Sequence, residues 1–267
     1  MAVPGRRLLK RLLAAWLVAV LVCGYINLVT TVAAAEPDVP GSEGRNHRAL
    51  AEASFGLKAG PSLAQHSGIK ERAAEYQVSS SWRVGFAAGA FLRFPVTSRF
   101  ALQQELVYTQ KGSQQKIGVE ILDIPTVLDV TYDMDYIEIP VLLRFVWLER
   151  SSSELYSLVG TALSLKVRDR YTLKGEVSDG EQTIPLSARA DMSEVEMFDY
   201  SFIYGTGLEF AVGRQRILVE YRFTIGWNTL AMPTYAYVPF EDDELLIDNE
   251  PVPLKNQNHL LLLGTRF

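Results

Sequence analysis

The stretch Ile137-Glu138-Ile139-Pro140-Val141-Leu142-Leu143-Arg144-Phe145-Val146-Trp147 decides how this chain folds. Ile137, Ile139, Val141, Leu143, Phe145 and Trp147 fall on one side of a period-two pattern. Tyr136, Glu138, Pro140, Leu142 and Arg144 fall on the other. A period of two belongs to a strand, not to a helix of period 3.6. Ile217, Val219, Tyr221, Phe223, Ile225 and Trp227 repeat the pattern against Glu220, Arg222, Thr224 and Gly226. Phe100, Leu102, Leu106 and Tyr108 oppose Gln103, Glu105 and Thr109, with Gln104 as an exception; Tyr204, Leu208 and Phe210 oppose Gly205, Gly207 and Glu209. The bulky apolar side chains share one face, and the small or charged ones share the other. A soluble barrel would turn the bulky face inward. Here the small and charged face suits a crowded narrow lumen, and the bulky face suits lipid.

Working outward, eight segments alternate: roughly 54–65, 81–95, 98–112, 131–148, 154–170, 196–213, 215–229 and 256–267. Tight turns at Pro95–Ser98, Glu149–Ser153 and Gly213–Gln215 join three pairs of them. The other four connections, about 66–80, 113–130, 171–195 and 230–255, read as long polar loops. Short and long connections alternating over an even strand count are the outer-membrane pattern, with short periplasmic turns and long extracellular loops. The expected fold is all-β: an eight-stranded antiparallel transmembrane β-barrel over residues 54–267. Aromatic residues near strand ends define two interfacial girdles. Trp82, Tyr108 and Trp227 mark the outer rim; Phe94, Phe100, Trp147, Phe210 and Phe267 mark the periplasmic rim.

The N-terminus supplies an address. Arg6, Arg7, Lys10 and Arg11 precede an apolar run from Leu12 to about Val32, and Ala33-Ala34-Ala35 offers a cleavage site. Residues 1–35 are expected to be a cleaved signal peptide, and 36–53 a periplasmic lead-in. An uncleaved anchor is the competing reading, because the apolar run is long. The sole cysteine, Cys23, lies inside that run, which argues against a disulfide framework or a cysteine-based site. With a net charge of −5 and no basic tract beyond the extreme N-terminus, no nucleic-acid partner is expected.

At this point the chain resembles the PorT-type, porin-family outer-membrane β-barrel proteins of Bacteroidota-type Gram-negative bacteria. The resemblance rests on Gly56-Leu57-Lys58-Ala59-Gly60 and Gly85-Phe86-Ala87-Ala88-Gly89. It rests further on residues 102–112 (LQQELVYTQKG), residues 136–143 (YIEIPVLL) and the closing Leu263-Gly264-Thr265-Arg266-Phe267. It covers about residues 54–267. It implies contact with outer-membrane lipid and, through a terminal Phe267 similar to an assembly signal, with the outer-membrane assembly machinery. Some such proteins are implicated in protein secretion.

The inward face carries Lys58, Arg83, Arg93, Glu105, Glu138, Arg144, Lys166, Glu209, Glu220, Arg222 and Arg266. Three readings are open: a paired network that plugs the barrel, a gated ion path, or an interior ligand site. Catalysis generally needs a nucleophile with a nearby base. His66 reads as a loop residue and His259 as the start of the last strand, so no enzyme is expected, and no cofactor or metal site. The acidic stretch Glu241-Asp242-Asp243-Glu244 with Asp248 and Glu250 reads as a solvated loop, or as a surface for a divalent cation or a partner; it lacks EF-hand spacing. The expected function is a non-enzymatic envelope or surface-interaction role, with an unknown protein partner at the long loops. The alternative is a narrow porin-like channel for ions or small solutes.

Overall fold

The computed structural model describes residues 53–67, 79–121, 124–178, 183–190, 197–213, 215–227, 230–231, 235–240, 243–248 and 253–267. The expected signal peptide, nearly all of the lead-in, and Glu241, Asp242 and Glu250 lie outside them. The described residues form thirteen strands: β1 (Ser54–Ser67), β2 (Ser79–Ser81), β3 (Arg83–Pro95), β4 (Phe100–Ile121), β5 (Ile124–Arg150), β6 (Ser153–Ser178), β7 (Thr183–Ala190), β8 (Phe198–Val212), β9 (Gln215–Gly226), β10 (Leu230–Ala231), β11 (Tyr235–Phe240), β12 (Asp243–Asp248) and β13 (Pro253–Arg266).

Eight of them form the wall. The order is β1-β3-β4-β5-β6-β8-β9-β13, every contact is antiparallel, and β13 pairs back onto β1 from Gly56↔Arg266 to Ser67↔Lys255. Closure leaves no unpaired wall edge. The three tight turns fall where expected, between β3 and β4, β5 and β6, and β8 and β9. Gly213 turns the last of them at φ +62°, a conformation in which a side chain would be strained. The alternation holds on both faces. Glu138, Pro140, Leu142, Arg144 and Val146 are buried inside, while Val141, Leu143 and Trp147 are exposed outside.

The wall is irregular at two points. Pairing between β5 and β6 shifts at Asp135/Tyr136 and again at Val146/Leu148. Each is a bulge, which lets a residue leave the ladder and re-aims its neighbours. The second leaves Trp147 without a ladder partner, still outward with its Nε1 donating to Ser157 Oγ at 2.7 Å, and exposes Leu148, whose parity would otherwise turn it inward.

The structure corrects the reading of the long connections. Residues 113–121 and 124–130 are not loop: β4 and β5 stay paired up to Ile121↔Ile124. Residues 171–178 and 183–190 likewise continue as β6 and β7, paired from Tyr171↔Ala190 to Ser178↔Thr183. Ser79–Ser81 joins the flank of β4, and within 230–255 β11 pairs β12. His66 is also not in a loop; it is the penultimate residue of β1 and is buried. Beyond Tyr108, β4 runs thirteen residues further to Ile121, about 40 Å along the strand.

In this extension the inward face becomes apolar. Leu128, Val130, Tyr132 and Met134 of β5, Leu173 and Val177 of β6, and Leu186 of β7 are buried. Gln114, Lys116, Asp129 and Lys174 are exposed. Apolar-in with polar-out is the pattern of a sheet in water, so the inversion marks where the strands leave lipid. Val141→Arg, facing out within the apolar band, is expected to cost about 2–4 kcal/mol of folding free energy. Val127→Arg, exposed on the extension, is expected to cost about half a kcal/mol or less. Urea unfolding in lipid vesicles measures both, and equal costs would contradict this placement of the band.

Candidate functional site

The lumen holds charge at several levels, with two apolar patches beside it. Leu142, Val146, Tyr156, Leu158, Ala162 and Ile203 line one side; Ala87, Val107, Leu260 and Leu262 line the other. Between them stands a quartet of two carboxylates and two cations. Arg222 donates to both oxygens of Glu105, Nη1 to Oε2 at 2.8 Å and Nη2 to Oε1 at 2.6 Å. Its Nε donates to Glu220 Oε1 at 2.6 Å. Lys58 Nζ completes the quartet, 2.7 Å from Glu105 and 3.1 Å from Glu220. Tyr156 and Gln103 donate to the remaining acceptor sites, to Glu220 at 2.9 Å and to Glu105 at 2.6 Å. The quartet is neutral, and every member is at least 96% buried.

Packing makes room for it. A Cβ at Gly207 would lie 2.5 Å from the Tyr156 ring, so glycine there lets the ring cross the lumen toward Glu220. Phe91 lies beneath Lys58 with Arg93 on it as well, each cation 5.4 Å from the ring centroid. Arg144 stacks 4.0 Å from the Tyr156 centroid. The two rings separate the quartet from the charges at the short-turn end.

At that end Glu209 gathers cations. Arg93 Nη1 and Arg266 Nε donate to it at 2.8 Å each, and Arg144 Nη2 and Arg216 Nη1 lie 3.4 and 3.6 Å away. Glu154 accepts from Arg144 at 2.8 Å and also pairs with Arg216. Toward the other end, Glu138 is 2.5 Å from Lys111 Nζ and accepts from Thr109 at 3.0 Å and Ser164 at 3.1 Å. Lys166 pairs with Asp169 at 2.7 Å. Higher still, Arg83 donates to Asp133 at 2.7 Å and to the Lys111 carbonyl at 3.1 Å, and His66 Nδ1 meets Ser113 Oγ at 2.7 Å.

All eleven charges read as inward from the sequence stand in ion pairs: Lys58, Arg93, Glu105, Glu138, Arg144, Glu209, Glu220 and Arg222 are buried, and Arg83, Lys166 and Arg266 are half-buried. Phe267 lies outside that set, its ring stacked on Phe55 at 5.1 Å where the strands close. Sequence reading missed Lys111, Asp133, Glu154, Asp169 and Arg216. Lys111 continues the inward parity of Glu105 and Thr109 in β4, a signal present within the expected strand 98–112; Asp133 has the opposite parity to Met134 and Glu138 in β5, so alternation gives no signal for it. Among the described residues no group of His, Cys, Asp or Glu is arranged to hold a metal ion.

Residues 42–231, over two thirds of the chain, match the family described as Outer membrane protein beta-barrel domain. The protein belongs to this family. It is an outer-membrane β-barrel, so the short turns face the periplasm and the projecting hairpins face the cell exterior. Among solved structures this outer-membrane barrel is similar to Neisserial surface protein A, at 14% identity over 81% of this chain and 98% of that one, with a TM-score of 0.36. It is similar to Ail, the attachment invasion locus protein of Yersinia pestis, at 16% identity over 81% and 100% of the two chains, TM-score 0.33. OprG from Pseudomonas aeruginosa is 10% identical over 80% and 96%, TM-score 0.40. The family match carries the assignment; these likenesses add no argument of their own. No curated protein matches the chain.

The quartet yields a stability prediction. Glu105→Gln removes a charge on which buried Arg222 and Lys58 both depend. It is expected to cost about 3–5 kcal/mol. Asp129→Asn, whose pair with Lys116 is exposed and 3.8 Å long, is expected to cost at most about 1 kcal/mol. Denaturant midpoints of the two variants in detergent would show the difference; similar small shifts would mean the quartet does not hold the barrel together.

Proposed function

We propose that this outer-membrane barrel is a closed, non-enzymatic scaffold that acts at the cell surface through its projecting hairpins. One observation carries this reading. The lumen is filled by paired charges and apolar side chains, while β4, β5, β6 and β7 run on beyond the outer girdle as an ordered sheet. Eight-stranded barrels are just wide enough for side chains to fill. Neutralised, desolvated pairs give an ion no vacant partner to exchange with. The extension supplies what a binding role needs: a preformed polar surface on a rigid base.

The finer reading is a PorT-type role in protein secretion. It rests on the motifs at residues 102–112 and 136–143, and secretion assays in a strain lacking this protein test it. The channel is the competing reading. Purified protein in planar bilayers is expected to show no reproducible conductance steps. Shortening the β4–β5 hairpin by removing residues 114–131 is expected to leave heat-modifiable gel mobility intact and to abolish the surface interaction. Discrete steps whose size changes in Arg222→Ala would reject the closed scaffold in favour of a channel.

A further inference from the structure

A cleft of 210 Å³ opens at the periplasmic mouth, lined among others by Arg93, Arg99, Arg144 and Arg266, with Glu149 and Glu154. Glu209 and Arg216 join the same cluster through their ion pairs with Arg93, Arg144, Arg266 and Glu154. Five guanidinium groups therefore face three carboxylates, an excess of two positive charges. The quartet above is neutral, so nothing there offsets this excess. One carboxylate, Glu209, lies within 3.6 Å of four of the guanidiniums, and each guanidinium has five N–H donors. Donors are left over. Arg144, 3% exposed, keeps a buried Nε with no hydrogen-bond partner among the described residues, although its Nη2 serves Glu154 and Glu209. A buried charged donor without a partner is costly and calls for an acceptor.

We propose that the periplasmic mouth of the barrel is a binding site for a phosphate group. The shape of the donor set selects this chemistry. Arg93 comes from β3, Arg99 from the β3–β4 turn, Arg144 from β5 and Arg266 from β13, so the cations approach from different parts of the wall. A planar carboxylate holds all its acceptor sites near one plane. A tetrahedral phosphate offers acceptor oxygens in several directions, and its charge, up to two on a free phosphate or monoester and one on a lipid phosphodiester, offsets the excess wholly or in part. The cleft is roomy enough for it with a few waters. The group can arrive as free phosphate or a soluble monoester, or as the headgroup of a periplasmic-leaflet lipid.

The test uses protein purified from outer membranes in neutral detergent. Sodium phosphate is titrated by calorimetry against sodium chloride of equal ionic strength. A single phosphate site is expected, weakened about ten-fold or more in Arg144→Gln. Arg144 also supports its carboxylate neighbours, so the exposed rim residue Arg99 provides a second variant. Arg99→Gln is expected to weaken binding about three-fold with unchanged gel mobility. Repeating the titration in nanodiscs of phosphatidylcholine and of phosphatidylglycerol identifies the source. Competition by phosphatidylglycerol assigns a lipid phosphate, and undiminished binding assigns a soluble one. Heat no greater than that from chloride, or phosphate binding unchanged in both variants, would overturn the proposal.

Discussion

Hydrocarbon offers no partner to a backbone N–H or C=O, so strands can cross it only when both edges of every strand are paired. The bond between β1 and β13 meets that requirement here, because it turns an eight-strand sheet into a ring. Other features follow from closure at this strand number. The ring is narrow, so side chains must fill it, and the outer face must be apolar over the thickness of the bilayer. The confinement of charge to the inward face, with an apolar outward face, is the imprint of that single constraint.

Narrowness in turn dictates the lumen. Charges placed there lose water from all sides and persist only with partners. Several of the pairs join strands that are not neighbours. Lys58 of β1 meets Glu105 of β4 and Glu220 of β9, and Arg222 of β9 reaches back to Glu105. Wall hydrogen bonds define only adjacent strands; these bridges brace the ring across its diameter. The rings of Phe91 and Tyr156 divide the column, each touching cations above or below by its face. The neutral quartet and the cationic mouth can therefore serve different ends, one holding the barrel and the other meeting the periplasm.

The wall strands, their faces and the tight turns were legible because alternation is a local property. Ile137 to Trp147 carries its own orientation without reference to any other segment. The partners were not legible. Arg222 and Glu105 are 117 residues apart, and parity alone says that both point inward, not that they meet. The tall hairpins were missed for a different reason. Outside the bilayer the apolar residues change sides, so Leu128, Val130, Tyr132 and Met134 no longer look like a lipid-facing strand, and polar residues between them imitate a loop. Glu154 and Arg216 were missed because they stand at strand starts beside tight turns, where exposure is the ordinary expectation.

The continuity of β4 and β5 from the periplasmic turns to Ile121 and Ile124 has a mechanical consequence. The β4–β5 register runs without a shift from Phe100↔Phe145 to Ile121↔Ile124. A pull on the tip is carried along covalent backbone into the wall, where it loads the hydrogen bonds to neighbouring strands side by side, in shear. Bonds loaded together yield at higher force than bonds peeled apart in turn. Pairing of this length gives the hairpin its resistance to a pull along the strands.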